Sequence, residues 1–226
     1  MAKTLASTAA LALIAGLGLS SFAFAQTTTT APTTTTTAAP ETAATPAAID
    51  PATIADYGIG QLDAKVKIVE YLSFTCPHCA AFHAEVYPQL KADYIDTGKV
   101  RLEYHEVYFD RYGLWAAMMA RCGGEMRYMG ITDIVLETQK EWAASDDPNA
   151  VVENLKKIGR TAGMDDATLD ACMKNSAMAE ALVTHFETNM KADAIEGTPT
   201  FIINGTKHSN MAYDDLKAIL DAELAK

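Results

Sequence analysis

The chain has 226 residues, a formal net charge of −11 at pH 7 and four cysteines. A surface this acidic argues against nucleic acid and anionic lipid as partners, because both carry negative charge themselves. The length suits a targeting region followed by one domain, or by one domain with a large insertion.

The amino-terminal residues 1–25 have the layout of a secretory signal peptide. Lys3 precedes an apolar run that ends at the small-residue pattern Ala23-Phe24-Ala25. A membrane anchor is the alternative, but the run is short for a bilayer span of about 20 residues. Threonine, alanine and proline make up nearly all of residues 26–50. Such a composition cannot bury enough apolar surface to fold, so we expect a disordered linker before a domain at 51–226.

The first part of the domain has the pattern of a strand, a helix and a second strand. Residues 66–74 alternate and are rich in β-branched and aromatic side chains, which favours a buried strand. Residues 80–90 have helical spacing, with a kink expected at Pro88 because proline lacks a backbone donor. A second strand follows at 99–107. This order predicts parallel pairing with a right-handed crossover.

After the second strand, the sequence pattern changes first to helices and then back to strands. Residues 111–192 lose the strand pattern and become rich in alanine, methionine, leucine, glutamate and lysine, so we expect about four helices. Strand character returns at 200–203, and Asn204-Gly205 is a strong signal for a hairpin. A closing helix begins near Asp214. The order βαβ, helical block, ββα predicts an α/β thioredoxin fold interrupted by an inserted helical subdomain.

The motif Cys76-Pro77-His78-Cys79 follows the first strand and opens the first helix. Free N–H groups and the macrodipole at a helix N-terminus favour anionic sulfur. The thiolate is the reactive form, so we expect Cys76 to attack and the more buried Cys79 to resolve the exchange. Pro77 suits the first helical turn, and His78 adds a donor or a positive charge near the Cys76 sulfur. Such features stabilise the reduced pair and therefore favour donating a disulfide.

Two other interpretations of the motif are a zinc site and a purely structural disulfide. Zinc requires four ligands, and no second close pair of cysteine or histidine residues has the spacing of a finger. We therefore expect no metal and no cofactor.

A second candidate segment is Gly197-Thr198-Pro199-Thr200, directly before the predicted strand. Proline in this position is confined to the first residue of a strand or to an edge. If the Thr198–Pro199 bond is cis, the loop could face the cysteines, and the Thr198 backbone could pair with an extended substrate. An ordinary trans proline is the alternative.

Three segments together resemble the DsbA family of periplasmic thiol:disulfide oxidoreductases. They are residues 70–79, the pair Tyr104-His105, and residues 197–201. The resemblance implies that Cys76 is the nucleophile, Cys79 the resolving cysteine and His78 the residue that tunes them. It also implies that Pro199 is a cis-proline beside the disulfide.

Two positions depart from the best-known members of that family. The resemblance matches Glu70 with a buried acid under the active site, and it places Glu103 where those members have a lysine. Two close carboxylates would raise at least one pKa and could help a proton leave Cys79. Alternatively, Glu103 points to solvent. Thr198 stands where many strong oxidases have valine, and threonine there also resembles isomerases and reductases.

The other two cysteines, Cys122 and Cys172, both lie in the predicted helical block and can meet across it. An exported protein with an even number of cysteines usually pairs them. Some DsbA-like proteins have an extra disulfide of this kind. We expect a structural disulfide, with a regulatory effect on the Cys76–Cys79 pair as the alternative.

The sequence thus predicts a monomeric periplasmic oxidase that gives its disulfide to reduced, unfolded exported proteins. The resemblance implies re-oxidation by a DsbB-like membrane protein that passes electrons to quinone. An isomerase or reductase is the first alternative, but residues 26–50 lack the heptads by which such proteins oligomerise. A non-catalytic chaperone is the second, and the intact cysteine motif argues against it.

Overall fold

The computed structural model of the chain describes residues 47–226. The predicted signal peptide at 1–25 and most of the predicted linker at 26–50 lie outside the described residues. The last residues of that linker belong to the folded part: Ile49 packs against a buried apolar cluster, and Asp50 caps a short 3-10 turn. In residues 47–226, every helix is too short or too polar to cross a bilayer.

A five-stranded sheet lies at the centre of the described residues. Its strands are β1 Gly58–Ile59, β2 Val66–Leu72, β3 Val100–Glu106, β4 Thr200–Ile203 and β5 Thr206–Ser209. The strand order is β1-β3-β2-β4-β5, with β2 and β3 parallel and the other pairs antiparallel. Central β2 is covered on both faces, since Ile68 and Tyr71 both lie in the core.

Nine α-helices in residues 47–226 surround the sheet, and a π-helical turn, Lys91–Ile95, follows the second of them. They are α1 Pro77–Glu85, α2 Tyr87–Leu90, α3 Arg111–Cys122, α4 Glu125–Glu137, α5 Gln139–Trp142, α6 Pro148–Thr161, α7 Asp166–Met173, α8 Ser176–Ala192 and α9 Tyr213–Ala225. The predicted order of strands and helices is confirmed. The inserted block holds six helices rather than about four, because the short α5 follows α4 directly and two separate helices fill residues 166–192.

Two local predictions about the chain path are confirmed. Helix α1 ends at Glu85, and α2 begins one residue after Val86 with Pro88 in its first turn. Asn204 and Gly205 both have positive φ, as a two-residue turn between β4 and β5 requires. The two-residue strand β1 is not signalled by the sequence pattern.

A buried cluster of charged and tyrosine side chains connects the helical insertion to the sheet, and a disulfide connects two helices within the insertion. At the end of β3, Glu106 accepts hydrogen bonds from the hydroxyls of Tyr108 and Tyr128. The same carboxylate pairs with Arg121 of α3, whose Nε lies 2.8 Å away. One residue further, Cys122 forms a disulfide with Cys172 of α7. The base of α3 is thereby held to both the sheet and α7.

Candidate active site

The cysteine motif lies where β2 turns into α1. Cys76 is the N-cap of α1 and Pro77 is its first residue, as expected. Both cysteines of the motif are free thiols, with Cys76 half-buried and Cys79 completely buried. The backbone N–H of Ser73 donates to the Cys79 sulfur over 3.4 Å. Only the first sulfur is therefore open to a second protein.

The two sulfurs differ sharply in acidity. A hydrogen bond from the Cys79 thiol lowers the pKa of Cys76 to about 5, and further hydrogen bonds outweigh the opposing effect of burial. The pKa of Cys79 is raised, first because its thiol is held by Cys76, then by burial and by the nearby Glu70. At neutral pH the negative charge accordingly lies on Cys76.

The side chain of His78 is exposed to solvent, as is that of Pro77. The group of His78 that lowers the pKa of Cys76 is its backbone N–H, together with that of Cys79. The helix N-terminus thus contributes through main-chain donors. The expected tuning by the His78 imidazole stays a prediction.

The loop before β4 meets the cysteines across the top of the sheet. The Thr198–Pro199 peptide bond is cis, and Pro199 is buried. Cys76 Sγ lies 3.3 Å from the carbonyl oxygen of Thr198. The hydroxyl of Thr198 is buried and has no hydrogen-bond partner among residues 47–226. The structure therefore brings this loop and Cys76 together, as the sequence predicts.

Glu70 lies beneath the cysteines and is completely buried. Burial raises its pKa to about 8, and the Cys76 thiolate adds to the shift. Neither of its carboxyl oxygens has a hydrogen-bond partner among the described residues. Its neighbour across β3 is Tyr104.

The prediction that Glu103 shares a proton relay with Glu70 is wrong. Glu103 pairs with Val69, one position earlier in the ladder, so its side chain leaves the opposite face of the sheet. There it is 31% exposed and accepts a hydrogen bond of 2.6 Å from Arg101 Nε. The alternation of side chains in a strand separates the two carboxylates.

Two polar residues at the site were missed by the sequence reasoning. Gln139 of α5 is buried, and its Nε2 donates to the carbonyls of Phe74 and Cys76 over 2.8 and 3.0 Å. Thr75 donates to Asp110, the N-cap of α3, over 2.6 Å. The insertion thus fixes the turn that carries the cysteines. No local pattern marks these residues, because their partners lie far away in the sequence.

The comparisons with known proteins agree with this geometry. Residues 52–222 match the family model described as "Thioredoxin", so the chain belongs to the thioredoxin family. Within it, the fold is that of the DsbA type. The crystal structure of Wolbachia pipientis alpha-DsbA1 superposes with a TM-score of 0.70 at 24% identity, over 75% of this chain and 91% of that one. The predicted fold and resemblance are confirmed.

Relatives found by sequence have names of the same kind. A Rickettsia bellii protein named "Putative protein-disulfide oxidoreductase" is 34% identical over 167 residues, 74% of this chain and 63% of that protein. "Disulfide bond formation protein D" of Bacillus subtilis is 25% identical over 177 residues, 74% of this chain and 76% of that protein. The chain spans less than two thirds of the length of the rickettsial relative.

Proposed function

We propose that this protein is a thiol:disulfide oxidoreductase that donates its Cys76–Cys79 disulfide to reduced exported proteins. One observation carries the proposal: the two sulfurs are unequal in both access and acidity. Cys76 is half-buried with a pKa of about 5, whereas Cys79 is fully buried with a raised pKa. The names of the sequence relatives support the same chemistry.

The exchange begins when a client thiolate attacks Cys76 Sγ in the oxidised protein. A bond forms between the client sulfur and Cys76, and the bond between Cys76 and Cys79 breaks. Cys79 leaves as a thiolate and takes up a proton, because its pKa is raised. Glu70, whose pKa is about 8, is protonated at neutral pH and is the nearby source of that proton.

The second step releases the oxidised client. A second client thiolate attacks the client sulfur of the mixed disulfide, and Cys76 leaves as a thiolate. A leaving group of low pKa departs faster, so the lowered pKa of Cys76 promotes this step. The client disulfide forms, and the protein ends as the reduced pair. Stabilisation of that reduced form makes the oxidised protein a disulfide donor, which favours oxidase over isomerase or reductase.

The neighbouring loop supplies the binding site for the client in this proposal. The carbonyl of Thr198 touches the Cys76 sulfur, and Pro199 fixes the chain beside it. An extended client lying along Thr198 would present its cysteine to Cys76. The Cys122–Cys172 disulfide acts as a structural link in the insertion.

The remaining assignments concern the setting of the reaction. We propose export through the signal peptide at residues 1–25, a periplasmic location and a monomeric state. A DsbB-like membrane protein that passes electrons to quinone would re-oxidise the Cys76–Cys79 pair.

Refolding of reduced, unfolded ribonuclease tests the proposal directly. The purified oxidised protein should restore activity faster than glutathione disulfide alone, and Cys76→Ser should abolish the gain. The matched variant Cys122→Ser with Cys172→Ser removes the other disulfide and should keep the gain. No gain over glutathione disulfide would refute the proposal. Equal reactivation of scrambled ribonuclease would instead favour the isomerase alternative.

A further inference from the structure

A cluster of titratable side chains lies behind Cys79, on α1, α2, α4 and the sheet. Its members are Glu70, His83, Tyr87, Tyr104 and Asp133. Residues 47–226 contain seven buried side-chain oxygen or nitrogen atoms without a hydrogen-bond partner, and four of them belong to this cluster. Each such atom lowers the stability of the fold by about 1–3 kcal/mol. Four of them in one cluster behind the cysteines therefore suggest that the cluster has a function.

The inner end of the cluster lies beneath the cysteines. Glu70 and Tyr104 are partners in the parallel ladder, so their side chains leave the same face about 4.8 Å apart. No described residue hydrogen-bonds the Glu70 carboxyl, and its charge acts on both Cys79 and Tyr104. The Tyr104 hydroxyl lies 2.9 Å from Nε2 of His83.

The outer end of the cluster reaches solvent. His83 Nε2 also lies 3.7 Å from Oδ1 of Asp133. The His83 side chain is 7% exposed and that of Asp133 is 42% exposed. The ring of Tyr87 stacks on His83, with 4.2 Å between the ring centroids, and fixes its orientation. Polar groups thus follow one another from the buried carboxyl under Cys79 to the surface of α4.

The charges around His83 suit the passage of a proton. Burial lowers the pKa of His83 to about 4, so the ring is neutral and can accept a proton. Burial raises the pKa of Asp133 to about 6, opposed by Lys91 and reinforced by Glu137. Further ionisable groups act on this route: the Cys76–Cys79 pair on Glu70, Asp96 on Tyr87, and the hydroxyls of Tyr87 and Tyr128 on Tyr104.

We propose that His83, with Tyr104 and Asp133, carries protons between solvent and Glu70. The inference rests on the proposed function, because disulfide opening creates the demand for a proton at Cys79. Glu70 gives its proton to the Cys79 thiolate and regains one from the Tyr104 hydroxyl. The Asp133 carboxyl gives a proton to the lone pair of His83 Nε2, the same nitrogen then passes a proton to the Tyr104 oxygen, and water reprotonates Asp133. One proton enters for each mixed disulfide formed.

The test separates the rate of proton delivery from the equilibrium. His83→Gln retains a hydrogen-bonding side chain beside Tyr104 but cannot titrate, and Asp133→Asn removes the outer acid. Reduction of the Cys76–Cys79 disulfide by dithiothreitol is followed by rapid acid quenching and thiol labelling, in H2O and D2O. Both variants should react about tenfold more slowly or worse, with a larger isotope ratio, as for a lost acid–base group. Their equilibrium constants with glutathione should stay within about twofold, a free-energy change below about 0.5 kcal/mol.

The control is His208→Gln, which removes an imidazole from β5 and should leave rate and isotope ratio unchanged. A folded His83→Gln protein with the rate and isotope ratio of the unaltered chain would overturn the route. The route would also be overturned if the equilibrium constant with glutathione changed by as large a factor as the rate. His83 would then only position Tyr104. Asp133→Asn keeps the test valid if His83→Gln does not fold. If the unaltered protein exchanged no disulfide with dithiothreitol or glutathione, the proposed function itself would fail.

Discussion

Replacing Glu70 by glutamine should stabilise the reduced protein at alkaline pH and change it little near pH 5. In the folded protein, burial and then the Cys76 thiolate raise the pKa of Glu70 from 4.5 to about 8. Between these two values the unfolded chain has lost the proton and the folded chain keeps it. Unfolding then releases a proton, so the stability of the unaltered protein falls as pH rises through this window. Glutamine has nearly the same shape and carries no proton to lose.

The expected magnitude follows from the same shift. At about 1.4 kcal/mol per pKa unit, the rise from 4.5 to about 8 lowers the free energy of unfolding by about 5 kcal/mol above pH 8. Near pH 5 this loss of stability is still less than about 1 kcal/mol. The stability gained by Glu70→Gln should therefore be about 4 kcal/mol larger near pH 8.5 than near pH 5. Taking the difference between variant and unaltered protein at each pH removes the part of the Cys76 contribution that does not depend on Glu70.

Urea unfolding of the reduced proteins, followed by circular dichroism near both pH values, measures this difference. Glu103→Gln is the matched control, because it removes a partly exposed carboxyl from the opposite face of the sheet. That variant should show no comparable pH-dependent gain. If Glu70→Gln changed the free energy of unfolding equally near pH 5 and pH 8.5, the assignment of a raised pKa to Glu70 would be refuted.

Three further substitutions test the contacts that hold the site, all by urea unfolding near neutral pH. Gln139→Leu leaves the carbonyls of Phe74 and Cys76 without this donor and should cost about 1–3 kcal/mol; no loss would show that the turn carrying the cysteines does not depend on Gln139. The pair Cys122→Ala and Cys172→Ala opens a link across 50 residues and should cost about 4 kcal/mol, with an unchanged Cys76–Cys79 potential; a shifted potential would favour the regulatory alternative. Glu106→Gln leaves the charge of Arg121 buried without its partner and should cost about 3–5 kcal/mol, whereas a neutral result would contradict that pairing.

Features that depend on neighbours in the sequence could be predicted from it. The strand before Cys76 and the helical pattern after it place that residue at a helix N-terminus, where the structure has it. Proline at position 88 breaks a helix for local steric reasons, and Asn204-Gly205 tolerates the positive φ of a tight turn. These signals act over a few residues, so no knowledge of the tertiary structure is needed.

Features that depend on register or on distant partners could not be predicted. The face of the sheet that Glu103 occupies changes with a shift of one residue in the pairing of β2 and β3. Gln139 contacts a turn that precedes it by more than sixty residues, so its role follows from the packing of the insertion. Strand β1 is too short to show a period, and Gly58 is needed there because a side chain would strike the carbonyl of Leu102.

The edge strand β5 has a consequence for self-association. Among residues 47–226 it pairs with β4 alone, and its other side presents the kind of unpaired backbone that recruits strands from aggregating chains. This edge is four residues long and polar, and the ammonium of Lys207 binds the carbonyls of Asp193 and Ala194 beside it. A short edge strand that carries a lysine pairs poorly with strands of other chains. In the proposed function, such an edge keeps the protein from adding a strand of a reduced client to its own sheet.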